Sequence, residues 1–138
     1  MTAASPTGTG APGYSETLPC EPGAAHRARL LVSAALNTWG IDELADIGQL
    51  VVSELVNNSV NHAKCRAIRV LISRQRRGVV RIGVADKSRE VPVMSHPDDD
   101  AEDGRGLLLI DSMSRNWGYD RKHWGKIVWA ELAVPTEC

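Results

Sequence analysis

The sequence predicts an α+β fold, a two-layer α/β sandwich in which helices cover one face of a mostly antiparallel mixed sheet. Two stretches with helical spacing of apolar residues come first in the chain, and two pairs of alternating strands follow, each pair joined by a short turn. Consecutive hairpins make antiparallel sheets, and the alternation of apolar and polar residues indicates that one sheet face meets water. The length of 138 residues suits one domain with one hydrophobic core.

The first residues differ in composition from the rest of the chain. Residues 1–17 are small, polar and rich in Gly and Pro, which predicts a flexible tail, and residues 18–138 are expected to form the domain. The N-terminus has no basic and apolar leader, and no apolar run approaches the roughly 20 residues that span a bilayer. We therefore expect a cytoplasmic protein with no membrane contact.

Two helices are expected before the first hairpin. The first covers residues 21–40, where apolar residues recur at i, i+3 and i+4 and Gly40 suits the position after the helix end. The second runs from about residue 42 to residue 63. Its core-facing residues are expected to be Leu44, Ile47, Val51 and Leu55.

The remaining elements alternate between sheet and helix. The strands of each hairpin show a period of two, and an acidic, Pro-rich and Ser-rich loop separates the first hairpin from the third helix. The expected bounds are 67–75 and 79–86 for the first hairpin, 88–104 for the loop, 104–115 for the third helix, and 116–121 and 126–134 for the last hairpin.

The second half of the second helix carries polar residues where a core helix needs apolar ones. Glu54, Asn58 and His62 follow one another at intervals of four, in line with the expected apolar stripe, and Asn61 lies close to them. Burying a carboxylate and amides without partners costs several kcal/mol. The pattern therefore predicts either a polar cleft or a network that satisfies neighbouring backbone groups. In a cleft, a carboxylate can act as a base and an amide oxygen can bind Mg²⁺.

Two further features favour the cleft. Asp86 ends a strand of inward-facing apolar residues, so its carboxylate should face inward and could accept a hydrogen bond from an exocyclic amine. Residues 104–106, Gly-Arg-Gly, stand directly before the third helix, where glycine backbone and free N–H groups can approach a phosphate. The alternatives are an exposed aspartate at a strand end and an ordinary loop.

These residues occur in one order that is typical of a known superfamily: Glu54, Asn58, His62, Asp86 and then Gly104, Arg105, Gly106 and Leu107. Together they resemble the GHKL ATPases, which include gyrase, a heat-shock chaperone, histidine kinases and mismatch-repair ATPases. More narrowly, the segments VVSELVNNSVNHA, GRGLLLIDSMSRNWG and GKIVWAEL look like small anti-sigma-factor serine/threonine kinases and related single-domain regulatory ATP-binding proteins. The resemblance covers about residues 20–134.

The resemblance implies a Bergerat-type ATP-binding fold that holds ATP and Mg²⁺ between the sheet and the helices. By position, Glu54 would be the general base, Asn58 would bind Mg²⁺ and Asp86 would hold the adenine amine. Residues 88–104 would form the lid. The other nucleotide-lining residues would be Asn61, His62, Gly104, Arg105, Gly106 and Leu107.

One position departs from the family pattern. Ile127 stands where relatives commonly carry Thr, in GKTVW, and the resemblance implies that this hydroxyl supports adenine recognition. Because isoleucine forms no side-chain hydrogen bond, the departure predicts weaker nucleotide binding.

For function, the resemblance implies a protein serine/threonine kinase that controls transcription by partner switching. It would bind a sigma factor and phosphorylate an anti-sigma-factor antagonist protein, and a homodimer is compatible with this role. The alternative is a nucleotide-sensing protein-binding module that transfers nothing. Glu54 favours the kinase, because a protein that only binds nucleotide needs no base.

Other classes of function are not favoured by the sequence. The chain has no room for the helical dimerisation hairpin of a two-component histidine kinase, and its net charge of −1 gives no case for nucleic acid. The three scattered cysteines form no ligand pairs typical of a metal site. Residues 64–81 contain seven Lys and Arg and no acid, which predicts either a solvated sheet face or a docking face for an acidic partner helix.

Overall fold

The structure, a computed structural model, describes residues 13–62, 66–88 and 110–134, which form two helices packed on one face of a five-stranded sheet. This confirms the predicted α+β sandwich. A 3-10 turn at Asp42–Leu44 precedes the second helix, and residues 110–113 are also helical. No helix among the described residues is long and apolar enough to cross a membrane. The elements are β1 (Gly13–Pro19), α1 (Ala24–Thr38), α2 (Ala45–His62), β2 (Ala67–Arg76), β3 (Val79–Asp86), β4 (Asn116–Lys122) and β5 (Gly125–Ala133).

The strands are ordered β1-β2-β3-β5-β4, and every neighbouring pair is antiparallel. The central strand β3 therefore pairs with its hairpin partner β2 on one side and with the distant strand β5 on the other. Alternate residues of these three strands face the helices and form the sheet side of the core. They are Ile68, Val70 and Ile72 on β2, Val80, Ile82 and Val84 on β3, and Val128, Ala130 and Leu132 on β5.

The helix layer depends on one close approach at Gly48. A Cβ atom at this position would lie 3.0 Å from both Val32 Cγ1 and Leu36 Cδ1 of α1, so the two helices touch where α2 has no side chain. A larger residue would push the helices apart and open the core above Ile82, whose Cδ1 lies 3.7 Å from the same point.

The buried face of α2 differs from the predicted stripe. Val51 and Leu55 are buried as expected, but Ile47 is 38% exposed, and Gly48, Val52, Val56 and Ser59 are buried instead. Contact at Gly48 turns the helix away from Ile47, because α1 can approach only along the side that carries the glycine. The expectation that Ile47 belongs to the core was therefore wrong.

A strand, β1, crosses the expected boundary between tail and domain at residue 18. Residues 13–17, which we expected to belong to the tail, pair with β2 as part of β1. Leu18 is 1% exposed in the core, and the Tyr14 ring stacks on Trp39 with 5.8 Å between ring centroids. We assigned residues 13–17 to the tail because they follow a small, polar, Gly-rich and Pro-rich stretch.

Candidate functional site

The candidate site is built around Asp86, the last residue of β3. The alternation along this strand predicts an inward side chain, and the Asp86 carboxylate does face the helices, with 0% of the side chain exposed. The C-terminal half of α2 and the start of β5 meet β3 at this end of the sheet. Its role in holding a base remains a prediction, but its position and burial are those that such a role requires.

All the accepting positions of the Asp86 carboxylate are used. Oδ2 accepts a hydrogen bond from Ser59 Oγ at 2.8 Å, and Oδ1 accepts one from the Ser88 backbone N–H at 2.9 Å. Lys126 Nζ donates to Oδ1 at 3.0 Å and lies 3.3 Å from Oδ2. Since a carboxylate accepts about four hydrogen bonds, an incoming amine can bond to Asp86 only when one of these donors moves.

Lys126 is the most unusual of these partners. It is the first inward residue of β5 after Gly125, directly opposite Asp86 in the strand pairing, and its side chain is only 3% exposed. Its ammonium group also lies 3.3 Å from the Ser88 carbonyl oxygen. A buried ammonium is stable only when it is paired and hydrogen-bonded, so Lys126 and Asp86 hold each other in place.

Sequence reasoning identified neither Ser59 nor Lys126 as a site residue. A signal for Lys126 was present, because it alternates with Val128 and Ala130 and so had to face inward on an apolar strand. The signal for Ser59 was its place in the polar part of α2, one residue after Asn58.

The structure contradicts the expected position of Ile127 beside the adenine site. Ile127 pairs with Ala85, and its Cγ2 lies 3.4 Å from the position that a Cβ on Gly83 would occupy. Both neighbours belong to the sheet face that points away from the helices, because inward and outward residues alternate along β3 and β5. Residue 127 therefore does not line the space around Asp86, and a threonine there would not reach it.

Glu54 and Asn58 lie at the edge of the buried face of α2. Both are half-buried, and they are not in line with the apolar stripe as we expected, because the buried face is turned towards Val52 and Val56. Asn58 directly precedes Ser59, the residue bonded to Asp86, and Glu54 lies one turn earlier. Both residues therefore belong to the half of α2 whose Ser59 contacts Asp86.

The electrostatics of Glu54 suit a proton acceptor. Burial raises the pKa of the Glu54 carboxyl, because partial removal from water disfavours the charged form. Among the described residues, none donates a hydrogen bond to this carboxylate or forms an ion pair with it. A carboxylate with a raised pKa and no bound cation is a stronger base than an exposed glutamate.

The donor set at this end of α2 fits Mg²⁺. Asn58 offers an amide oxygen there, and Mg²⁺ takes one or two protein oxygens together with substrate phosphates. In the described ranges no group of three His, Cys, Asp or Glu side chains could hold a metal, so phosphate oxygens would have to complete the coordination.

Several predicted site residues lie outside what the structure describes. These are residues 104–107, the loop 89–103, and the side chains of Asn61 and His62 at the end of α2. Their assignments as phosphate-binding, lid and pocket residues stay predictions. The structure shows Asp86 in contact with Ser59 and Lys126, and it places Glu54 and Asn58, both half-buried, on the same half of α2 as Ser59.

Comparison with known proteins gives one finding. A family model described as the histidine kinase-like ATPase domain matches residues 18–132, which run from the end of β1 into β5. The matched range contains Glu54, Asn58, Asp86 and Lys126. No curated protein shows a significant match to the chain.

Proposed function

The chain belongs to the histidine kinase-like ATPase domain family, which implies that it binds ATP, and from that premise we propose that it is a Mg²⁺-dependent protein serine/threonine kinase of the anti-sigma-factor type. The observation that carries the kinase proposal is the Glu54 carboxyl. It has a raised pKa, no partner among the described side chains, and lies one turn before Asn58. A protein that only binds nucleotide has no use for such a base.

In the proposed reaction, each residue of the site has one task. Asp86 would accept a hydrogen bond from the adenine amine, and Asn58 would hold Mg²⁺, which neutralises charge on the phosphates. Glu54 would accept the proton of a serine or threonine hydroxyl while the hydroxyl oxygen bonds to the γ-phosphorus. The bond between the γ-phosphorus and the bridging oxygen breaks, and that oxygen leaves on ADP.

The proposed partners are a sigma factor and an anti-sigma-factor antagonist protein, which would be the phosphorylated substrate. The support is the likeness of residues 51–63, 104–118 and 125–132 to small kinases of this type. Partner switching would then link the state of the antagonist to transcription in the cytoplasm. A homodimer is compatible with this scheme.

A second function is favoured by the Lys126–Asp86 ion pair. Because all four accepting positions of Asp86 are filled, nucleotide binding must rearrange the donors at this end of the sheet. A change of this kind suits a nucleotide-sensing module that alters its partner affinity and transfers nothing. Transfer of labelled phosphate from ATP to an antagonist protein distinguishes the two functions.

Binding of ATP with Mg²⁺ is expected to stabilise the fold. At about 100 times the dissociation constant, ligand adds roughly 2.7 kcal/mol to the free energy of unfolding. For a chain of this length that corresponds to a rise of about 5–15 °C in Tm. Differential scanning calorimetry with millimolar ATP and Mg²⁺ measures it, and an unchanged Tm would contradict ATP binding at this site.

Guanine nucleotides are expected to bind more weakly than adenine nucleotides. Guanine has a carbonyl oxygen where adenine has its amine, so it cannot donate to Asp86 there. An unmatched buried polar group costs about 1–3 kcal/mol, which is roughly 5- to 150-fold in affinity. Competition calorimetry between ATP and GTP on the wild-type protein measures this ratio. Equal affinities would show that Asp86 does not distinguish adenine from guanine.

A further inference from the structure

A cavity of about 390 Å³ lies at the other end of the sheet from Asp86. Three arginines line it: Arg76 at the end of β2, Arg77 in the β2–β3 turn and Arg115 directly before β4. Val79, Ala133 and Val134 line it as well. Strand β3 runs from Val79 at this cavity to Asp86 at the candidate site, so the two lie roughly 23 Å apart at ~3.3 Å per residue. We call it the arginine cavity.

The arginine cavity has a strong and uncompensated positive charge. Its lining contains no acidic residue. Arg76, Arg77 and Arg115 are exposed, and none of their guanidinium groups has a hydrogen bond or ion pair within the described parts of the chain. Three adjacent cations without counter-charges repel one another, so the fold gains nothing from their proximity.

Other arginines of the same basic segment are used within the fold. Arg69 donates to Ser15 Oγ at 2.8 Å, and Arg81 pairs with Glu131 at 2.7 Å while lying 4.1 Å from the centre of the Trp129 ring. Arg69 and Arg81 thus differ from Arg76 and Arg77 of the same segment. The first two stabilise the sheet, and the hairpin end presents free charge.

The chemistry of the cavity identifies a class of ligand. Guanidinium groups form paired hydrogen bonds with carboxylates, and the aliphatic wall of Val79, Ala133 and Val134 suits a neighbouring apolar side chain. The volume is that of a site for a few side chains. An extended nucleic acid fits poorly, because domains that bind one usually carry a net positive charge and the whole chain has a net charge of −1.

We propose that the arginine cavity docks an acidic segment of a partner protein, one in which carboxylate side chains stand next to an apolar residue. The arginine cavity lies roughly 23 Å from Asp86, and the inference does not depend on phosphate transfer. It gives the chain a contact for a protein partner at the end of the sheet opposite Asp86.

The test is fluorescence anisotropy with a labelled peptide in which glutamates alternate with leucines. The acidic peptide is expected to bind with an affinity that falls as salt is added, and a matched peptide with glutamine for glutamate is expected to bind at least about tenfold more weakly. Arg76→Gln combined with Arg77→Gln should weaken binding of the acidic peptide by at least about tenfold, and Arg115→Gln alone should weaken it by severalfold.

A matched control removes the same charge elsewhere. Arg66→Gln with Lys122→Gln takes two cations from exposed positions outside the cavity and should leave peptide affinity within about twofold. The rise in Tm with ATP and Mg²⁺ should persist in the variant that combines Arg76→Gln and Arg77→Gln. This result would show that the variant is folded. The proposal is overturned if both double variants lose affinity equally, if neither does, or if a labelled oligonucleotide binds more tightly than the peptide.

Discussion

Replacement of Lys126 by methionine is expected to lower the free energy of unfolding by about 3–5 kcal/mol, the largest loss of stability that we expect from a single substitution in this chain. Methionine keeps the length and most of the volume of the side chain, so packing changes little. The loss comes from the Asp86 carboxylate, which has 0% of its side chain exposed and would remain in the interior without its cation. Urea unfolding without nucleotide measures it.

A double variant distinguishes the contribution of the ion pair to stability from that of the packing around it. Removing both charges, with Lys126→Met and Asp86→Asn, should recover most of the stability, because a neutral pair leaves no uncompensated charge inside. The matched control is Lys122→Met, which changes an exposed lysine on β4 and should stay within about 0.5 kcal/mol of the wild type. A loss below about 1 kcal/mol for Lys126→Met would mean that water reaches Asp86 and that the carboxylate does not depend on this lysine.

The Asp86 site shows what a sequence pattern can predict and what it cannot. The alternation of Val80, Ile82 and Val84 was sufficient to predict that Asp86 faces the helices, since a period of two assigns every residue of a strand to a face. The same rule gives no information about which strand lies beside it. The pairing of Asp86 with Lys126, 40 positions later in the chain, follows from the packing of the whole sheet, and the sequence pattern could not predict it.

Helix α2 shows a second limit of prediction from sequence patterns. The helical period was predicted correctly, but the side of the helix that is buried was not. The apolar residues of α2 predict an amphipathic helix, which is observed, but a hydrophobic pattern assigns no face to glycine. A Cβ at Gly48 would lie 3.0 Å from two side chains of α1, so α2 packs closely on α1 along the side that carries the glycine. Ser59 therefore faces Asp86, while Glu54 and Asn58 take the edge of the helix.

That edge position makes Glu54 the residue whose replacement should change the reaction most. We expect Glu54→Gln to bind ATP within a few-fold of the wild type and to lose at least about 100-fold in phosphate transfer, since general-base assistance typically contributes about 10²–10⁴-fold. Glutamine keeps the shape of the side chain and still forms hydrogen bonds, but it accepts no proton. The contribution of Asn58 and bound Mg²⁺ to positioning would remain.

The pH dependence of transfer gives an independent test of the same role. Burial raises the pKa of the Glu54 carboxyl, so the fraction of Glu54 that is ionised, and with it the rate, should rise with pH at values above the usual glutamate range. The variant Glu54→Gln has no such group, and its residual rate should not follow that rise. A pH–rate profile of single-turnover transfer compares the two proteins directly.

The stability of the Glu54→Gln variant serves as its folding control. The expected change in the free energy of unfolding is opposite in sign to that of Lys126→Met. Because the pKa of Glu54 is higher in the folded state than in the unfolded state, its contribution to stability is present at low pH and is lost as the pH rises through the folded-state pKa. At neutral pH the neutral glutamine should therefore be no less stable than glutamate. A slow Glu54→Gln variant with an unchanged or raised Tm would have lost chemistry, and not its fold.

Asn58→Ala is the matched comparison one turn along α2. It removes the expected Mg²⁺ ligand and should lose the Mg²⁺-dependent part of ATP affinity, which Glu54→Gln should keep. Calorimetry gives the affinities, and labelled phosphate transferred to an antagonist protein gives the rates. If Glu54→Gln transfers phosphate as fast as the wild type, Glu54 is not the base. If the wild type transfers none to any antagonist tested, the raised pKa reflects burial alone, and the site is that of a nucleotide sensor in which ATP displaces Lys126 from Asp86.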